Sequence, residues 1–168
     1  MDEESVQLIA CIPRLRRYAR ALVGNRTEAD DLVQDTMERG WSSLSSWRRG
    51  SDMRAWLFGI MHNLYVDQLR KVRVPTDAFD ENMREPMMQP TQTDRLAVRD
   101  MEAALRLLPA EQREILLLVA LEEMTYEEVG ATLRIPMGTV MSRLSRSRER
   151  LRALMEGRSI ASPLKVVK

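Results

Sequence analysis

The sequence has little of what disulfide frameworks, zinc sites and fibrous chains require. Its 168 residues include one cysteine, Cys11, and one histidine, His62, which excludes a disulfide framework and an ordinary structural zinc site. Seven glycines and seven prolines are too few for a fibrous or disordered chain. No apolar run approaches the ~20 residues that a membrane span needs, and the acidic N-terminus is unlike a signal peptide. We therefore expect a cytoplasmic protein without membrane insertion, metal or other cofactor.

What the sequence does have is a helical period of apolar residues. Thr27 is a predicted N-cap, and Pro13 suits the first turn of the preceding helix. No segment alternates with period two for more than a few residues, so the sequence predicts an all-α protein. Apolar or small residues with helical spacing follow Thr27 at Ala29, Leu32, Val33, Thr36, Met37, Gly40, Trp41 and Leu44.

A third long helix, running to about Lys71, is apolar on two opposite faces. Helical phase at about 100° per residue divides its apolar residues into two sets. The first set is Met53, Trp56, Leu57, Ile60 and Leu64, and the second is Phe58, His62, Tyr65 and Leu69. Two interpretations follow. The helix is the centre of a small bundle, buried on both sides, or one face offers aromatic surface to a partner or to unstacked bases.

A polar segment, residues 74–95, divides the chain into two predicted domains. It carries three prolines and an excess of acidic residues, which is typical of a flexible linker. Fully extended, it would span up to roughly 75 Å. The predicted domains are therefore residues 1–73 and 96–158, followed by a short tail, residues 159–168.

The second domain contains a short helix, a tight turn and a basic helix, which is the pattern of a helix-turn-helix. Thr125 and Glu128 form a predicted capping box, the turn centres on Pro136, and Thr139 is a predicted cap of the basic helix. Residues 134–158 contain seven arginines and two glutamates, whereas residues 111–128 contain six glutamates and one arginine. This segregation favours a polyanionic partner on one side. The alternatives are a plain helical hairpin and a solvated basic helix.

Three segments together resemble the extracytoplasmic-function (ECF, group 4) sigma factors of bacterial RNA polymerase, in the sigma-70 family. TYEEVGATLRIPMGTVMSRLSRSRERL is similar to region 4.2 of that family. EADDLVQDTMERGW is similar to region 2.2, and RAWLFGIMHNLYVDQLRK to regions 2.3 and 2.4. The resemblance implies two small helical domains, a region 2 bundle and a region 4 helix-turn-helix, joined by the flexible linker.

The resemblance also implies roles for individual residues. An asparagine amide can both donate to and accept from an extruded base, and an arginine can bind guanine O6 and N7. The implied polymerase-binding residues are Asp31, Gln34 and Asp35. Those implied for the melted −10 element are Asn63, Arg48, Arg49, Arg54 and Arg70. Those implied for the −35 duplex are Thr139, Met141, Ser142, Arg143 and Arg146.

Met141 departs from the family pattern, in which Lys or Arg is common at this position. Methionine can contact a thymine methyl group or a sugar but cannot pair with guanine, which suggests an altered −35 preference.

The resemblance further implies partners. They are the RNA polymerase core, promoter DNA and an anti-sigma factor, with activity as a monomer in a stress or envelope response. No enzymatic activity is expected, because one histidine, one cysteine and no glycine-rich phosphate loop provide no catalytic constellation.

Two alternatives come from other functional classes. Asp30, Asp31 and Asp35 could suggest an enzyme, in which Asp31 and Asp35, one helical turn apart, hold a divalent cation as in prenyl-chain enzymes. No second acidic motif of that kind accompanies them in a helix. A stand-alone helix-turn-helix regulator would account for residues 134–155 and would bind a palindrome as a dimer. It would leave the RAWLFGIMHN segment unexplained.

Overall fold

A computed structural model describes residues 1–73 and 95–157, and all regular secondary structure in these ranges is helical. The prediction of an all-α fold is confirmed. The predicted linker lies outside the described residues except for Arg95, which already begins a helix, and the predicted tail also lies outside them. The helices are α1 (Glu3–Ala10), α2 (Ile12–Val23), α3 (Arg26–Ser42), α4 (Met53–Arg73), α5 (Arg95–Leu107), α6 (Ala110–Ala120), α7 (Tyr126–Leu133) and α8 (Met137–Met155), with a 3-10 turn at Leu44–Ser46.

Helices α1 to α4 form the first domain. Helix α1 was not predicted from the sequence. Its N-cap is Asp2, whose carboxylate accepts a hydrogen bond from the Ser5 amide at 3.0 Å. The prediction that Thr27 caps α3 is wrong by two residues. Asn25 is the cap because its side-chain oxygen accepts from the Glu28 amide at 3.1 Å. The core of this domain includes the fully buried Leu8, Leu15, Leu22, Leu32 and Leu57.

Helix α4 is buried on two sides, as the first interpretation of its pattern holds. It packs against α3 of its own domain on one side and against α7 of the second domain on the other. Leu57 represents the first apolar face and is fully buried, whereas Phe58 and Tyr65 on the second face are 1% and 5% exposed. A third strip of α4, which contains Gly59 and Asn63, is left outside both contacts.

Helices α5 to α8 form the second domain, whose core includes Leu108, Ile115, Leu118, Val129, Val140 and Leu144. Arg113 of α6 ties the end of α5 to this core. Its guanidinium donates to the carbonyls of Leu105, Arg106 and Leu108 at 2.7, 3.1 and 2.9 Å. These carbonyls lie at or just beyond the negative end of α5, where a cation is favourable.

The two domains contact each other through α2 and α4 on one side and α6 and α7 on the other. Arg113 donates to the carbonyl of Leu22 at 2.8 Å, and His62 Nδ1 lies 2.5 Å from the Glu114 carboxylate. Burial, with the nearby Glu114 carboxylate, raises the pKa of Tyr18 well above its ordinary value. Tyr18 therefore stays neutral, and its ring meets that of Phe58 edge to face at 4.8 Å.

Two helical glycines of the first domain should respond oppositely to alanine. A Cβ at Gly40 would lie 2.8 Å from the side chain of the fully buried Leu57, whereas a Cβ at Gly59 would meet nothing within 4 Å. Gly40→Ala should lower the free energy of unfolding by about 1 kcal/mol through overpacking. Gly59→Ala should raise it by roughly 0.5 to 1 kcal/mol through helix propensity. Urea unfolding followed by circular dichroism measures both; equal shifts would contradict the packing argument.

Candidate nucleic-acid interface

The short helix and tight turn of the second domain are held by local hydrogen bonds. The predicted capping box is confirmed: Thr125 Oγ1 accepts from the Glu128 amide at 3.1 Å, and the Glu128 carboxylate accepts from the Thr125 amide at 2.9 Å. Arg134 ends α7 in the left-handed conformation, with φ 57° and ψ 47°. Its amide and that of Ile135 both point to the carbonyl of Gly130. These two hydrogen bonds hold the turn against the end of α7 and so fix the direction in which α8 begins.

Gly130 is required where the turn passes close to α7. A Cβ at this position would lie 3.0 Å from the backbone carbonyl oxygen of Ile135. Any larger residue would therefore push the turn away from α7 and tilt the helix that follows it.

The prediction that Thr139 caps α8 is wrong. The helix begins at Met137, directly after Pro136, whose extended ψ of 154° makes it the N-cap residue. Pro136 supplies no side-chain cap, so the first backbone amides of α8 have no partner from the side chain of that residue. Thr139 lies within this first turn, and its amide still belongs to the positive end of the helix, which suits a backbone phosphate.

The predicted −35 residues on α8 do not all face the same way. Met141 is 54% exposed, and Ser142 and Arg146 are also exposed. Arg146 makes no hydrogen bond or ion pair with any residue that the structure describes. Arg143 is half-buried, and its guanidinium lies 4.0 Å from the Glu111 carboxylate. Met141 and Arg146 are thus the side chains most available to a duplex, and Arg143 lies to one side of them.

Ser142 has a local partner, because its hydroxyl donates to the carbonyl of Gly138 at 2.8 Å. The hydroxyl oxygen remains available as an acceptor on the exposed side of α8.

A second exposed polar strip runs along α4. Gly59, Asn63 and Arg70 share one side of the helix at about 100° per residue. Asn63 and Arg70 are exposed. A Cβ added at Gly59 would meet no atom within 4 Å, so the space beside the helix at this position is open. An amide beside an open space and a cation can accept an unstacked, negatively charged nucleotide.

The three further arginines implied for the −10 element, Arg48, Arg49 and Arg54, do not all lie beside Asn63. Arg48 is exposed, and Arg49 forms an ion pair with Glu4. Arg54 lies about half a turn of phase away from Asn63, on the opposite side of α4. Its guanidinium donates to the carbonyl of Glu122 in the second domain at 2.8 Å. The structure therefore separates Arg54 from the Asn63 strip.

The predicted polymerase-binding residues form one exposed side of α3. Asp31, Gln34 and Asp35 are all exposed, and the Gln34 amide donates to Glu38 at 3.3 Å. The neighbouring Asp30 lies 3.7 Å from Arg20 of α2. Within residues 1–73 and 95–157, no group of three or more acidic, histidine or cysteine residues could hold a metal ion. In the same ranges no helix is long and apolar enough to cross a membrane.

Sequence reasoning missed the residues at the contact between the domains, namely Arg17, Glu114 and Glu122. The two glutamates are buried, and both belong to the acidic segment 111–128. The acidic bias of that segment was therefore also a signal for partners within the chain, because the Glu122 and Glu114 carboxylates meet Arg17 and His62 of the first domain.

Comparison with known proteins gives a consistent result for both domains. Residues 8–62 match the model of the Sigma2 domain of PhyR, and residues 99–151 match that of Sigma-70, region 4. The chain is 39% identical over 149 residues to the ECF RNA polymerase sigma factor EcfG of Rhodopseudomonas palustris (strain TIE-1), covering 88% of this chain and 82% of that protein.

Two solved structures are also similar. One is the sigma factor RpoE of Bartonella quintana in complex with the anti-sigma factor NepR, with 35% identity, a TM-score of 0.75, and coverage of 90% of this chain and 96% of that one. The other is CnrH in complex with the cytosolic domain of CnrY, with 27% identity, a TM-score of 0.68, and coverage of 93% and 89%.

Proposed function

Since this chain belongs to the family of ECF RNA polymerase sigma factors, we propose specific residues for each step of its work. The protein binds core RNA polymerase and directs promoter-specific transcription initiation, by reading the −35 duplex and capturing melted −10 DNA. We assign residues 1–73 to region 2 and residues 96–158 to region 4. A stand-alone helix-turn-helix regulator is not favoured, because the first domain also matches a sigma domain.

The exposed strip of α4 is the proposed −10 reading surface. Asn63 is placed to form paired hydrogen bonds with the edge of an unstacked base, and the open space at Gly59 admits that base beside the helix. Arg70, about two turns further along, neutralises a neighbouring phosphate. Arg48 and Arg49, in the loop before α4, contact further phosphates.

The exposed side of α8 is the proposed −35 reading surface. The amides of the first turn, including that of Thr139, position the helix on a phosphate. Arg146 reads a guanine, Met141 contacts a thymine methyl group, and Ser142 accepts a hydrogen bond from a base edge.

Polymerase binding is proposed to use the exposed acidic side of α3, formed by Asp31, Gln34 and Asp35. The exposed carboxylates suit a basic surface on the polymerase. The protein is proposed to act as a cytoplasmic, non-enzymatic monomer. Because two similar sigma factors were solved in complexes with NepR and CnrY, we further propose control by an anti-sigma factor.

The observation that carries this proposal is the presence of two separate exposed reading strips, on α4 and on α8, in one chain. The test is in vitro transcription with purified protein and bacterial core polymerase on pooled genomic promoters, with transcript starts mapped. New starts that share −35 and −10 elements are expected. Tight duplex binding without polymerase, together with no new starts, would favour the stand-alone regulator instead.

Arg146→Ala should reduce discrimination at one position of the −35 element by about 1 kcal/mol, the lower end of the range for a bidentate arginine–guanine pair. Transcription from a set of promoters that differ only in the −35 element measures this change. Arg152→Ala, which removes the same charge further from the start of α8, is the control and should leave discrimination unchanged. A uniform loss over all sequences would instead identify Arg146 as a phosphate contact.

A further inference from the structure

The contact between the domains contains a buried carboxylate that neither reading surface uses. The Glu122 side chain is fully buried, although it belongs to the five-residue loop, residues 121–125, between α6 and α7. One carboxylate oxygen lies 3.3 Å from the Arg17 guanidinium of the first domain, and the other has no hydrogen-bond partner. A half-satisfied buried charge of this kind makes the contact depend strongly on its single cationic partner.

The loop that carries Glu122 is held by the first domain through its backbone as well. Arg17 donates to the carbonyl of Leu121 at 3.2 Å, and Arg54 donates to the carbonyl of Glu122 at 2.8 Å. Glu123 adopts φ 55°, a left-handed conformation, next to this point. Two arginines of the first domain thus fix one loop of the second domain.

This closed arrangement does not fit the span of a promoter. A compact body formed by the described residues, 1–73 and 95–157, is roughly 40 Å across. The −35 and −10 elements lie about 25 base pairs apart, which is about 85 Å of duplex. The reading strips on α4 and α8 can therefore reach both elements only after the domains separate.

We propose that Arg17 and Glu122 form an autoinhibitory latch, which holds the two domains together in the free protein and must open before the chain engages polymerase and promoter. This inference rests on the proposed function. Opening returns the Glu122 carboxylate to water, which offsets part of the loss of its contacts with Arg17. It also frees Arg54, which the closed form occupies with the Glu122 carbonyl. Only open chains bind polymerase, so the apparent affinity equals the affinity of the open form multiplied by the fraction of chains that are open.

The test is a charge exchange in the full-length chain. Arg17→Glu places a second carboxylate beside the buried Glu122, and Glu122→Lys places a third cation beside Arg17 and Arg54. Each single variant should open the chain, whereas the double variant R17E/E122K restores an opposite-charge pair and should close it again. The matched control is Arg16→Glu, which makes the same charge change at an exposed neighbouring position on α2 that has no partner among the described residues.

Two measurements read the result. Small-angle X-ray scattering of the free protein should show a larger radius of gyration for both single variants, and values near wild type for the double variant and for Arg16→Glu. Binding to core polymerase should tighten about tenfold for the single variants, because the open fraction rises. Circular dichroism checks that the helix content is unchanged.

Unchanged radii for the single variants would overturn the latch. Expansion without a gain in core binding would overturn its inhibitory role, as would failure of the double variant to reverse both changes. Absence of transcription from every variant at saturating polymerase would overturn the proposed function and the inhibitory role with it. The scattering comparison would then still decide whether the contact closes the chain.

Discussion

Replacing Asn63 with alanine should slow promoter opening by roughly 5- to 150-fold, while affinity for core polymerase stays unchanged. The amide is the one side chain on the exposed strip of α4 that can both donate to and accept from a base edge. Loss of such a paired contact costs about 1 to 3 kcal/mol. No other side chain on the exposed strip of α4 can replace both hydrogen bonds. Permanganate reactivity of −10 thymines measures opening, and a binding assay with core polymerase measures docking.

A matched pair at Gly59 tests the same surface without removing the amide. Gly59→Phe should fill the open space beside Asn63 and reduce opening to a similar extent, whereas Gly59→Ala fits that space and should remain close to wild type. If Asn63→Ala and Gly59→Phe weaken core binding as much as opening, the strip belongs to the polymerase contact and the proposal for base capture is wrong.

Charge reversal at Asp35 should weaken binding to core polymerase by about 100-fold. The residue is exposed on α3 and is proposed to meet a basic surface, where a like charge costs several kcal/mol. The loss should shrink as salt is raised, since the contact is partly solvated. Fluorescence anisotropy of labelled protein with core polymerase, without DNA, measures this affinity.

The control for Asp35→Lys is Asp67→Lys. Asp67 is an exposed aspartate of α4 in the same domain, and its reversal changes the net charge equally. It should leave core affinity within about twofold of wild type, as is usual for a surface substitution away from a contact. Equal losses from the two reversals would point to a general charge effect and would contradict a specific role for the α3 surface.

Much of the fold was predictable because the helices carry strong apolar periodicity. The two apolar faces of α4 followed from phase alone, and the capping box at Thr125 from four residues of sequence. The first residues of the helices were harder to predict from the sequence. Asn25 and Thr27 are both good N-caps, and the choice between them is made by the hydrogen bond to Glu28. At α8 a proline without a capping side chain begins the helix, so the search for a capping side chain selected Thr139 instead.

The candidate site was predictable as a set of residue types but not as a surface. Resemblance brought Asn63 and Arg54 into one group, and helical phase separates them by half a turn. The sequence did not predict which helices pack against the second face of α4. Apolar periodicity shows that a helix face is buried but does not identify the element that covers it. The acidic segment 111–128 held the missing information, since its buried Glu114 and Glu122 meet His62 and Arg17 of the first domain.

The contact between the domains also has a consequence during synthesis. Tyr18 and Tyr65 are buried, and this burial, with the Glu114 carboxylate of the second domain nearby, raises the pKa of both. Their helices, α2 and α4, contact α6 and α7 of the second domain. Residues 1–73 leave the ribosome first, and α6 follows about 40 residues later, which takes roughly 2 to 8 s at ordinary elongation rates. For that interval a nascent chain presents a folded first domain with one aromatic helix face in water. The timing of translation therefore sets how long this face is open to chaperones and to neighbouring nascent chains.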